Sequence, residues 1–403
     1  MNVLFVHQNF PGQFVHVAPH FAAQGHRVVA VGQGTLPALP GVQTVGYQPA
    51  QGNTPGVHPY AQEFESKAIR GEACRQAVLQ LKQQGFTPHV IFAHPGWGET
   101  LFLADVFPQA RLVYLMEYFY RPHGQDMGFD PEFGEPGLHD AALLAAKNAN
   151  LLLAMHSMHA GIAPTPWQKS LLPEWAQAKT RLIHEGIDTH ICRPDPGAEI
   201  TLPDRGVTVR AGDEVLTFVA RNLEPVRGYH VFMRALPQIM RERPNVKVFI
   251  VGGDGVSYGK APENGSYRNQ YLHEVAGQLD PSRVFFMGKV PHHVFVRLMQ
   301  ITRCHVYLTY PFVLSWSLLE AMACGAAVVA SDTAPVRDAV THKETGLLVP
   351  FFDTDALAAQ VVHVLANPQL AQLRTMREQA AAYVRAVYDT RISLAAYEAL
   401  ITA

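Results

Sequence analysis

The stretch of sequence that decides the fold is HVYLTYPFVLSWSLLEAMACGAAVVASDTAPVRDAVTHKETGLLVP, residues 305–350. Its β-branched apolar runs predict two buried strands, 305–310 and 327–330, with a helix between them that Gly325 ends. Ser315 is the predicted N-cap, so the backbone N–H groups after it lack partners within the helix. A helix start beyond a buried strand is a ready phosphate site. Glu320, about one turn further along, places a carboxylate where sugar hydroxyls beside such a phosphate would lie.

Composition sets ordinary bounds on the class of protein. The chain has 403 residues, of which 48% are hydrophobic and 16% charged, which favours two large α/β domains with packed cores. A formal net charge of -2 gives no general attraction to nucleic acid or anionic lipid. The widely spaced cysteines are typical of reduced, buried thiols in a cytoplasmic protein. We expect neither a secretion signal in MNVLFVHQNF nor a transmembrane segment, since no apolar run reaches eighteen residues.

The first half of the chain alternates predicted strands and helices. Continuous apolar runs predict strands at 2–6, 27–31, 89–93, 111–115, 151–155 and 181–184, with helices that include 72–84 and 138–147. Such strands indicate a parallel sheet covered on both faces. Two long irregular segments interrupt the pattern, 32–62 and 118–137. Acidic residues line the second of these segments and are expected to form a solvated loop, with orientation of an acceptor as the alternative: Glu117, Asp126, Asp130, Glu132 and Glu135.

The pattern restarts after a turn-rich linker at 184–197. Strands are predicted at 215–219, 246–251, 284–287 and 346–349 in addition to the two in the opening stretch. Helices are predicted at 229–241, 268–279, 293–302 and 355–365, and the chain from 368 onward is helical in pattern. Two doubly wound α/β halves joined by a hinge are the simplest interpretation.

One segment of the second half carries a family resemblance. FVARNLEPVRGYHVFMRAL, residues 218–236, resembles the segment of family 4 glycosyltransferases in which a strand ends in Gly-Arg and Lys-Gly opens the next helix. Arg221 matches the family arginine, and Arg227 stands in the place of the lysine. HEGIDTHICRP resembles the family's interdomain linker. FMGKVP, which includes Val290, resembles the loop whose backbone contacts the nucleobase. The resemblance is closest over 180–365 and looser in the first half.

The resemblance implies an α/β chain of the GT-B fold, with two Rossmann-like doubly wound domains facing across a cleft. Residues 1–186 would form the acceptor-side domain and 187–370 the donor-binding domain. Residues 371–403 would be terminal helices that cross back to the N-terminal domain.

The resemblance also implies roles for individual residues. Arg221 and Arg227 would hold the donor diphosphate and Glu320 the ribose, while His94 would lie near the donor sugar. The remaining donor-binding candidates come from the glycine loops and from the start of the helix: Gly12, Gly253, Val290, Phe312, Ser315, Trp316, Ser317 and Leu318. An ordinary turn is the alternative for Gly12, and a structural histidine at a strand end is the alternative for His94.

One position departs from the family pattern. The family has a pair of glutamates separated by seven residues, of which the second touches the ribose and the first the donor sugar. Glu320 matches the second glutamate, but Phe312 stands where the first should be. We therefore expect the nucleotide contacts to be kept and one polar contact to the sugar to be lost.

The implied activity is retaining sugar transfer from a nucleoside diphosphate sugar, with no cofactor and no bound metal. UDP is the commoner nucleotide in such families. The acceptor is open among glycan, lipid-linked glycan, protein and small molecule, and a lipid acceptor would bring the protein to the inner face of a membrane. The missing glutamate leaves two alternatives: a catalytically silent nucleotide-sugar-binding scaffold and, less favoured, a nucleotide-sugar epimerase.

Overall fold

A computed structural model describes residues 1–402, which form two compact units. The first unit contains Met1–Gly186 together with the segment that begins at Thr390, and the second contains Ile187–Asp389. The family resemblance implied that all of residues 371–403 cross back to the first domain, whereas the contacts place the chain up to Asp389 in the second unit and return only the segment from Thr390 to the first.

The first unit is built on a sheet of seven parallel strands. These are β1 Asn2–Val6, β2 Arg27–Gln33, β3 Val42–Tyr47, β4 Val90–Ala93, β5 Arg111–Leu115, β6 Ala160–Ala163 and β7 Thr180–Leu182. Their spatial order is β3-β2-β1-β4-β5-β6-β7. The helices of this unit are α1 Val17–Ala23, α2 Pro59–Gln83, α3 Leu103–Val106, α4 Leu138–Lys147, α5 Ala149–Ser157, α6 Pro166–Leu171, α7 Glu174–Gln177 and, from the chain end, α15 Thr390–Thr402.

The second unit has a sheet of six parallel strands and a small antiparallel hairpin. The hairpin is β8 Glu199–Leu202 and β9 Val207–Arg210, and the sheet comprises β10 Val215–Asn222, β11 Lys247–Gly253, β12 Val284–Gly288, β13 Cys304–Tyr307, β14 Ala327–Ser331 and β15 Leu347–Val349. The sheet order is β12-β11-β10-β13-β14-β15. Its helices are α8 Tyr229–Glu242, α9 Tyr267–Glu274, α10 His292–Ile301, α11 Trp316–Ala323, α12 Ala334–Arg337, α13 Thr354–Ala366 and α14 Ala371–Val387.

Both faces of the first sheet are buried, as continuous apolar strands predict. Leu4 and Val6 of β1 belong to one apolar cluster, and Val3 and Phe5, which point to the opposite face, belong to another. The second cluster includes Tyr397 of α15, so the last helix covers one face of the first sheet. Within residues 1–402, none of the helices combines the length and apolar character needed to cross a membrane.

Most predicted strands are confirmed, but the prediction of a strand at 151–155 is wrong. These residues lie within α5, and the strand that follows is β6. The run is Leu-Leu-Leu-Ala-Met, which consists of good helix formers without β-branching. Leu152 and Leu153 are 39% and 50% exposed, which a strand covered on both faces would not allow. The sequence pattern also missed β3 inside the segment expected to be irregular and the hairpin that follows the linker.

Candidate functional site

The strand order of each sheet reverses once beside its first strand. In the second sheet the chain passes from β10 to β11 and β12 on one side, then returns to β13 on the other side of β10. In the first sheet the same reversal falls between β1 and β4. Parallel α/β sheets open a crevice at the carboxyl ends of the strands at such a point, and ligands bind there. The candidate residues of each unit follow these strands.

Arg227 joins the two loops at the reversal in the second sheet. Its side chain is 7% exposed, and Nη1 donates hydrogen bonds of 2.9 Å to Thr309 Oγ1 and to the carbonyl oxygen of Val313. Within residues 1–402 the Arg227 side chain makes no other hydrogen bond. Its Nε and Nη2 atoms can therefore still donate hydrogen bonds to a ligand. Arginine carries five donors in a planar fork, so the residue can hold the loop and still bind an anion.

The helix α11 begins as the sequence predicted. Ser315 is the N-cap, and its Oγ accepts from the backbone N–H of Ser317 at 3.3 Å. The Tyr307 hydroxyl receives the N–H of Ser315 at 2.8 Å, which fixes the N-cap to the end of β13. The Leu318 side chain is fully buried and its N–H bonds to the Ser315 carbonyl, while Trp316 packs against the core of the second unit. The start of the helix is therefore rigidly placed.

Phe312 occupies the loop between β13 and α11. It is 7% exposed, and its ring centre lies 4.6 Å from the ring centre of Tyr258 and 5.6 Å from the guanidinium carbon of Arg227. Tyr258 also lies beneath the guanidinium carbon, at 5.4 Å. Two aromatic rings therefore contact the cation, which accounts for an aromatic residue at this position.

Glu320 is paired within the second unit. It is 8% exposed, and Oε1 lies 2.6 Å from Nε2 of His292, the first residue of α10. The hydrogen bond with Glu320 raises the pKa of His292, so the imidazole is more readily charged. The Cys192 thiol approaches the same carboxylate oxygen at 3.9 Å. Sequence spacing gave no signal of either partner, because His292 and Cys192 lie 28 and 128 residues away in the chain.

Arg221 lies near the end of β10, where the pairing with β11 shifts register. Its side chain is exposed and has no hydrogen bond or ion pair within residues 1–402. Two residues further on, the Leu223 N–H bonds to the carbonyl of Gly253 at 2.9 Å. A Cβ at Gly253 would lie 2.7 Å from Lys289 Cε. The glycine therefore leaves room for the side chain of the lysine that precedes Val290.

The first unit brings His94 and the Gly12 loop together at its own strand reversal. His94 follows β4, stacks on Trp97 with ring centres 4.4 Å apart, and places Nε2 3.1 Å from Oε2 of Glu117. Gln13 donates to Oε1 of Glu117 at 2.7 Å and contacts Nε2 of His7 at 2.8 Å. Glu117 is therefore a member of a side-chain network and not of a solvated acidic loop, so that expectation is wrong.

Backbone contacts fix the protonation of this network. The Nδ1 atoms of His7 and His94 accept from the N–H groups of Asn9 and Gly96, each at 3.0 Å. When neutral, both rings consequently carry their proton on Nε2. Burial, together with the charge of His94, lowers the pKa of His7 to about 3. Burial alone would raise the pKa of Glu117, but hydrogen bonds from His94 and Gln13 lower it below its usual value, so the carboxylate is charged.

Gly12 serves the packing of His7. Its φ is +46°, and a Cβ there would lie 2.5 Å from His7 Nε2. A side chain at this position would push the ring away from Gln13. The structure thus supports a packing reason for this glycine, and its contact with a phosphate stays a prediction.

The structure places the candidate residues in two groups, one in each unit. In the second unit Arg227, from the turn after β10, is bonded to the loop that carries Phe312 and Ser315, and Arg221 and Glu320 lie on neighbouring elements. Residues that sequence reasoning missed are those that support the candidates: His7, Gln13, Glu117, Cys192, Tyr258, His292 and Thr309. Apart from the contact between His7 and Gln13, which are six residues apart, these residues meet partners that are distant in the chain, so the folded contacts are needed to reveal them.

Comparison with known families assigns the chain to a family. The family model described as "Glycosyl transferase family 4 group" matches residues 24–192, and "Glycosyl transferases group 1" matches residues 203–384. The chain belongs to the family 4 glycosyltransferases. The two matched segments fall on the first and second compact units of this glycosyltransferase-family chain.

Curated relatives match part of this family 4 chain. The phosphatidyl-myo-inositol mannosyltransferase of Mycolicibacterium smegmatis is 34% identical over 167 residues, which cover 40% of the chain and 38% of the relative. The D-inositol 3-phosphate glycosyltransferase of Rhodococcus erythropolis is 29% identical over 270 residues, covering 60% of the chain and 57% of the relative. Alignments with the first relatives thus span 38% to 57% of their length.

Solved structures share the fold over nearly the full chain. Sucrose-phosphate synthase from Thermosynechococcus elongatus aligns with a TM-score of 0.74 at 18% identity, covering 99% of this chain and 98% of that one. HepE from Anabaena, in complex with UDP and glucose, aligns with a TM-score of 0.68 at 18% identity, covering 100% and 99%. The family 4 chain therefore has two parallel-sheet, Rossmann-like α/β domains of the GT-B class.

Replacement of Gly12 by alanine tests the packing role of this glycine. We expect the free energy of unfolding to fall by about 1–2 kcal/mol for the left-handed backbone and by a further ~1–3 kcal/mol for crowding of His7. Gly25→Ala is the matched control, because Gly25 has φ +83° and no atom within 4 Å of a Cβ. Urea denaturation measures both variants. Equal losses would contradict the contact with His7.

Proposed function

We propose that the protein transfers a sugar from a nucleoside diphosphate sugar to an acceptor and that its second unit binds the donor nucleotide. The observation that carries this proposal is the strand reversal between β10 and β13. There Arg227 holds the loop that leads into α11, Arg221 lies exposed at the end of β10, and Glu320 lies in the second turn of α11. Two cations and a helix start at one edge suit a diphosphate.

The positive charges of the two arginines suit cleavage of the bond between the sugar and the diphosphate. Separation of the sugar from the diphosphate builds negative charge on the leaving oxygen, and fixed cations lower the energy of that state. Arg227 is held in place before the ligand arrives, by Thr309 and Val313. Such preorganisation avoids reorientation during the reaction. Retention of the anomeric configuration and independence from a bound metal belong to this proposal by family membership.

The network in the first unit supports a role for His94 in the transfer step. Glu117 holds Nε2 of the imidazole and would stabilise a positive charge on the ring. The stacking contact with Trp97 restricts rotation of the ring. We place His94 as the group that steadies the sugar, with Glu117 as its positioning residue.

The donor nucleotide is proposed to be UDP. HepE structures contain UDP and UDP-glucose, whereas one relative in Mycolicibacterium smegmatis is a GDP-mannose-dependent mannosyltransferase. UDP and GDP are therefore the first nucleotides to compare. The acceptor is proposed to be a glycan or lipid-linked glycan, and inositol phosphates enter the screen because two relatives are named for inositol-based acceptors.

A donor screen tests the proposed activity. UDP-, GDP-, ADP- and dTDP-linked sugars are incubated with the protein and candidate acceptors, and released nucleoside diphosphate and the glycosylated product are measured. We expect one nucleotide class to support transfer, with nuclear magnetic resonance showing the donor's anomeric configuration in the product. Inversion would contradict the retaining mechanism. Epimerised donor formed without an acceptor would instead favour an epimerase.

A catalytically silent nucleotide-sugar-binding scaffold is the second candidate. Phe312 favours it, because this buried ring stands where the family has a glutamate that touches the sugar. Tight nucleotide binding without transfer or donor hydrolysis, for every sugar in the screen, would support the scaffold over the transferase.

Alanine variants of Arg221 and Glu320 test the nucleotide site. Each is expected to weaken the binding of UDP by about 1.5–3 kcal/mol, since each loses a hydrogen bond to a charged group. Arg241→Ala is the matched control, because Arg241 is an exposed arginine near the end of α8 in the same unit. Isothermal titration calorimetry measures the affinities. Unchanged affinity in both test variants would refute the assignment of these residues.

Phe312→Glu tests the position beside the sugar. The new carboxylate would lie near the guanidinium of Arg227, whose carbon is 5.6 Å from the present ring centre. We expect the relative kcat/KM for different UDP-sugars to change by about tenfold or more, equivalent to ~1.4 kcal/mol, while UDP affinity changes less. Phe312→Leu controls for loss of the ring. Equal changes in sugar preference and UDP affinity would contradict the placement.

A further inference from the structure

Three potential metal ligands meet at the Glu320 side chain. Cys192 follows the segment that opens the second unit, His292 begins α10, and Glu320 lies in α11. The Cys192 Sγ, an imidazole nitrogen of His292 and a carboxylate oxygen of Glu320 all lie within 4.8 Å of one another. These elements are separate in the chain, so the cluster is a product of the fold of one unit.

We propose that Cys192, His292 and Glu320 form a Zn²⁺ site that competes with the donor nucleotide. The metal site stands on the geometry of the second unit alone. The competition rests on the proposed function, in which Glu320 binds the ribose of the donor.

The distances are close to those of a zinc site. Zn²⁺ bonds of 2.0–2.3 Å in a tetrahedron set neighbouring oxygen and sulfur atoms about 3.5 Å apart, and neighbouring oxygen and nitrogen atoms about 3.3 Å apart. The observed distance from Glu320 Oε1 to Cys192 Sγ is 3.9 Å, and the distance to His292 Nε2 is 2.6 Å. Because a zinc site needs about 3.3 Å between the oxygen and the nitrogen, and Glu320 Oε1 now lies 2.6 Å from His292 Nε2, the imidazole must retreat by less than ~1 Å to admit the ion.

Two of the three ligands are buried, and the third, His292, is exposed and can move outward. Cys192 is 1% exposed and its N–H bonds to the Asp188 carbonyl at 2.8 Å, so the thiol is fixed. The side chain of Glu320 is 11% exposed. The His292 side chain is 58% exposed, so the ring can move outward and solvent can reach the ion from that side. A water molecule would complete the fourth position.

The donor set favours zinc over magnesium and calcium. A thiolate and an imidazole favour Zn²⁺ over Mg²⁺ and Ca²⁺, which prefer oxygen ligands. On binding, the Cys192 thiol releases its proton to solvent and forms the Zn–S bond. The two charges of the ion are then balanced by the thiolate and the Glu320 carboxylate. His292 Nε2 gives up the proton that it directs at Glu320, which a charged ring releases to solvent, and the ring binds the ion in its neutral form with its proton on Nδ1. A site without net charge is compatible with the low exposure of two of its ligands.

The bound ion would engage the Glu320 carboxylate. A nucleotide that needs the same carboxylate would then bind less tightly, and nucleotide binding would in turn weaken the affinity for Zn²⁺ by the same factor. The site is thus proposed to be inhibitory, and transfer itself needs no metal in this account.

Titration of the full chain with ZnCl₂ under a non-thiol reductant tests the metal site. We expect one Zn²⁺ per chain, with affinity at least about tenfold weaker in Cys192→Ser and in His292→Ala, since each removes a ligand. His293→Ala is the matched control, because His293 is the exposed neighbour in the chain and lies outside the cluster. Cys304→Ser controls for loss of a buried thiol elsewhere in the unit. Circular dichroism melting verifies that the variants are folded.

Co²⁺ gives an independent readout. A Co²⁺-loaded wild-type chain should show a thiolate-to-metal charge-transfer band in the near ultraviolet, absent from folded Cys192→Ser. If that band persists in Cys192→Ser, or if all variants bind Zn²⁺ with equal affinity, the site is refuted.

The competition is measured separately, as UDP affinity with and without a saturating concentration of ZnCl₂. We expect UDP affinity to fall at least about tenfold in the wild type, as for two ligands that share one group, and to fall much less in His292→Ala. If Zn²⁺ binds at the cluster but UDP does not bind even without metal, the proposed function fails and the metal site stands. If UDP binds equally with and without bound Zn²⁺, the competition is refuted.

Discussion

The hydrogen bonds from Arg227 to Thr309 and Val313 are the constraint on which the candidate site of the second unit depends. They tie the turn after β10 to the loop after β13, the two strands between which the order of the sheet reverses. That loop carries Phe312 and leads directly to the N-cap Ser315. The start of α11 is therefore placed by a buried cation. A cation used in this way also brings positive charge to the edge where α/β sheets bind ligands.

In the first unit, hydrogen bonds among two histidines, a glutamine and a glutamate fix the side chains at the strand reversal. His7 after β1 and His94 after β4 stand at the reversal of that sheet, with ring centres 5.3 Å apart. Gln13 and Glu117 join them, and the charged carboxylate holds the network together. One unit thus presents cations suited to a diphosphate, and the other presents an oriented imidazole.

Sequence patterns predicted the strands well because buried parallel strands are continuous, β-branched runs. The run at 151–155 was wrongly predicted as a strand, because leucine, alanine and methionine can be buried in a strand or in a helix. Their intrinsic preference is for the helix. At the site, the N-cap Ser315 was predictable because capping is local. The pairing of Glu320 with His292 and Cys192 was not, since it depends on how α10 and α11 pack. Glu117 was missed for the same reason, because an acidic residue before a loop resembles a solvated one until its partners are known.

A crystal structure of the protein with UDP tests the central claim most directly. We expect electron density for the diphosphate at the carboxyl edge of the second sheet, between β10 and β13. Its oxygens would lie within hydrogen-bond distance of the Arg221 and Arg227 guanidinium groups, and the ribose hydroxyls would lie beside Glu320. A diphosphate bound away from both arginines would contradict the proposed donor site of the second unit.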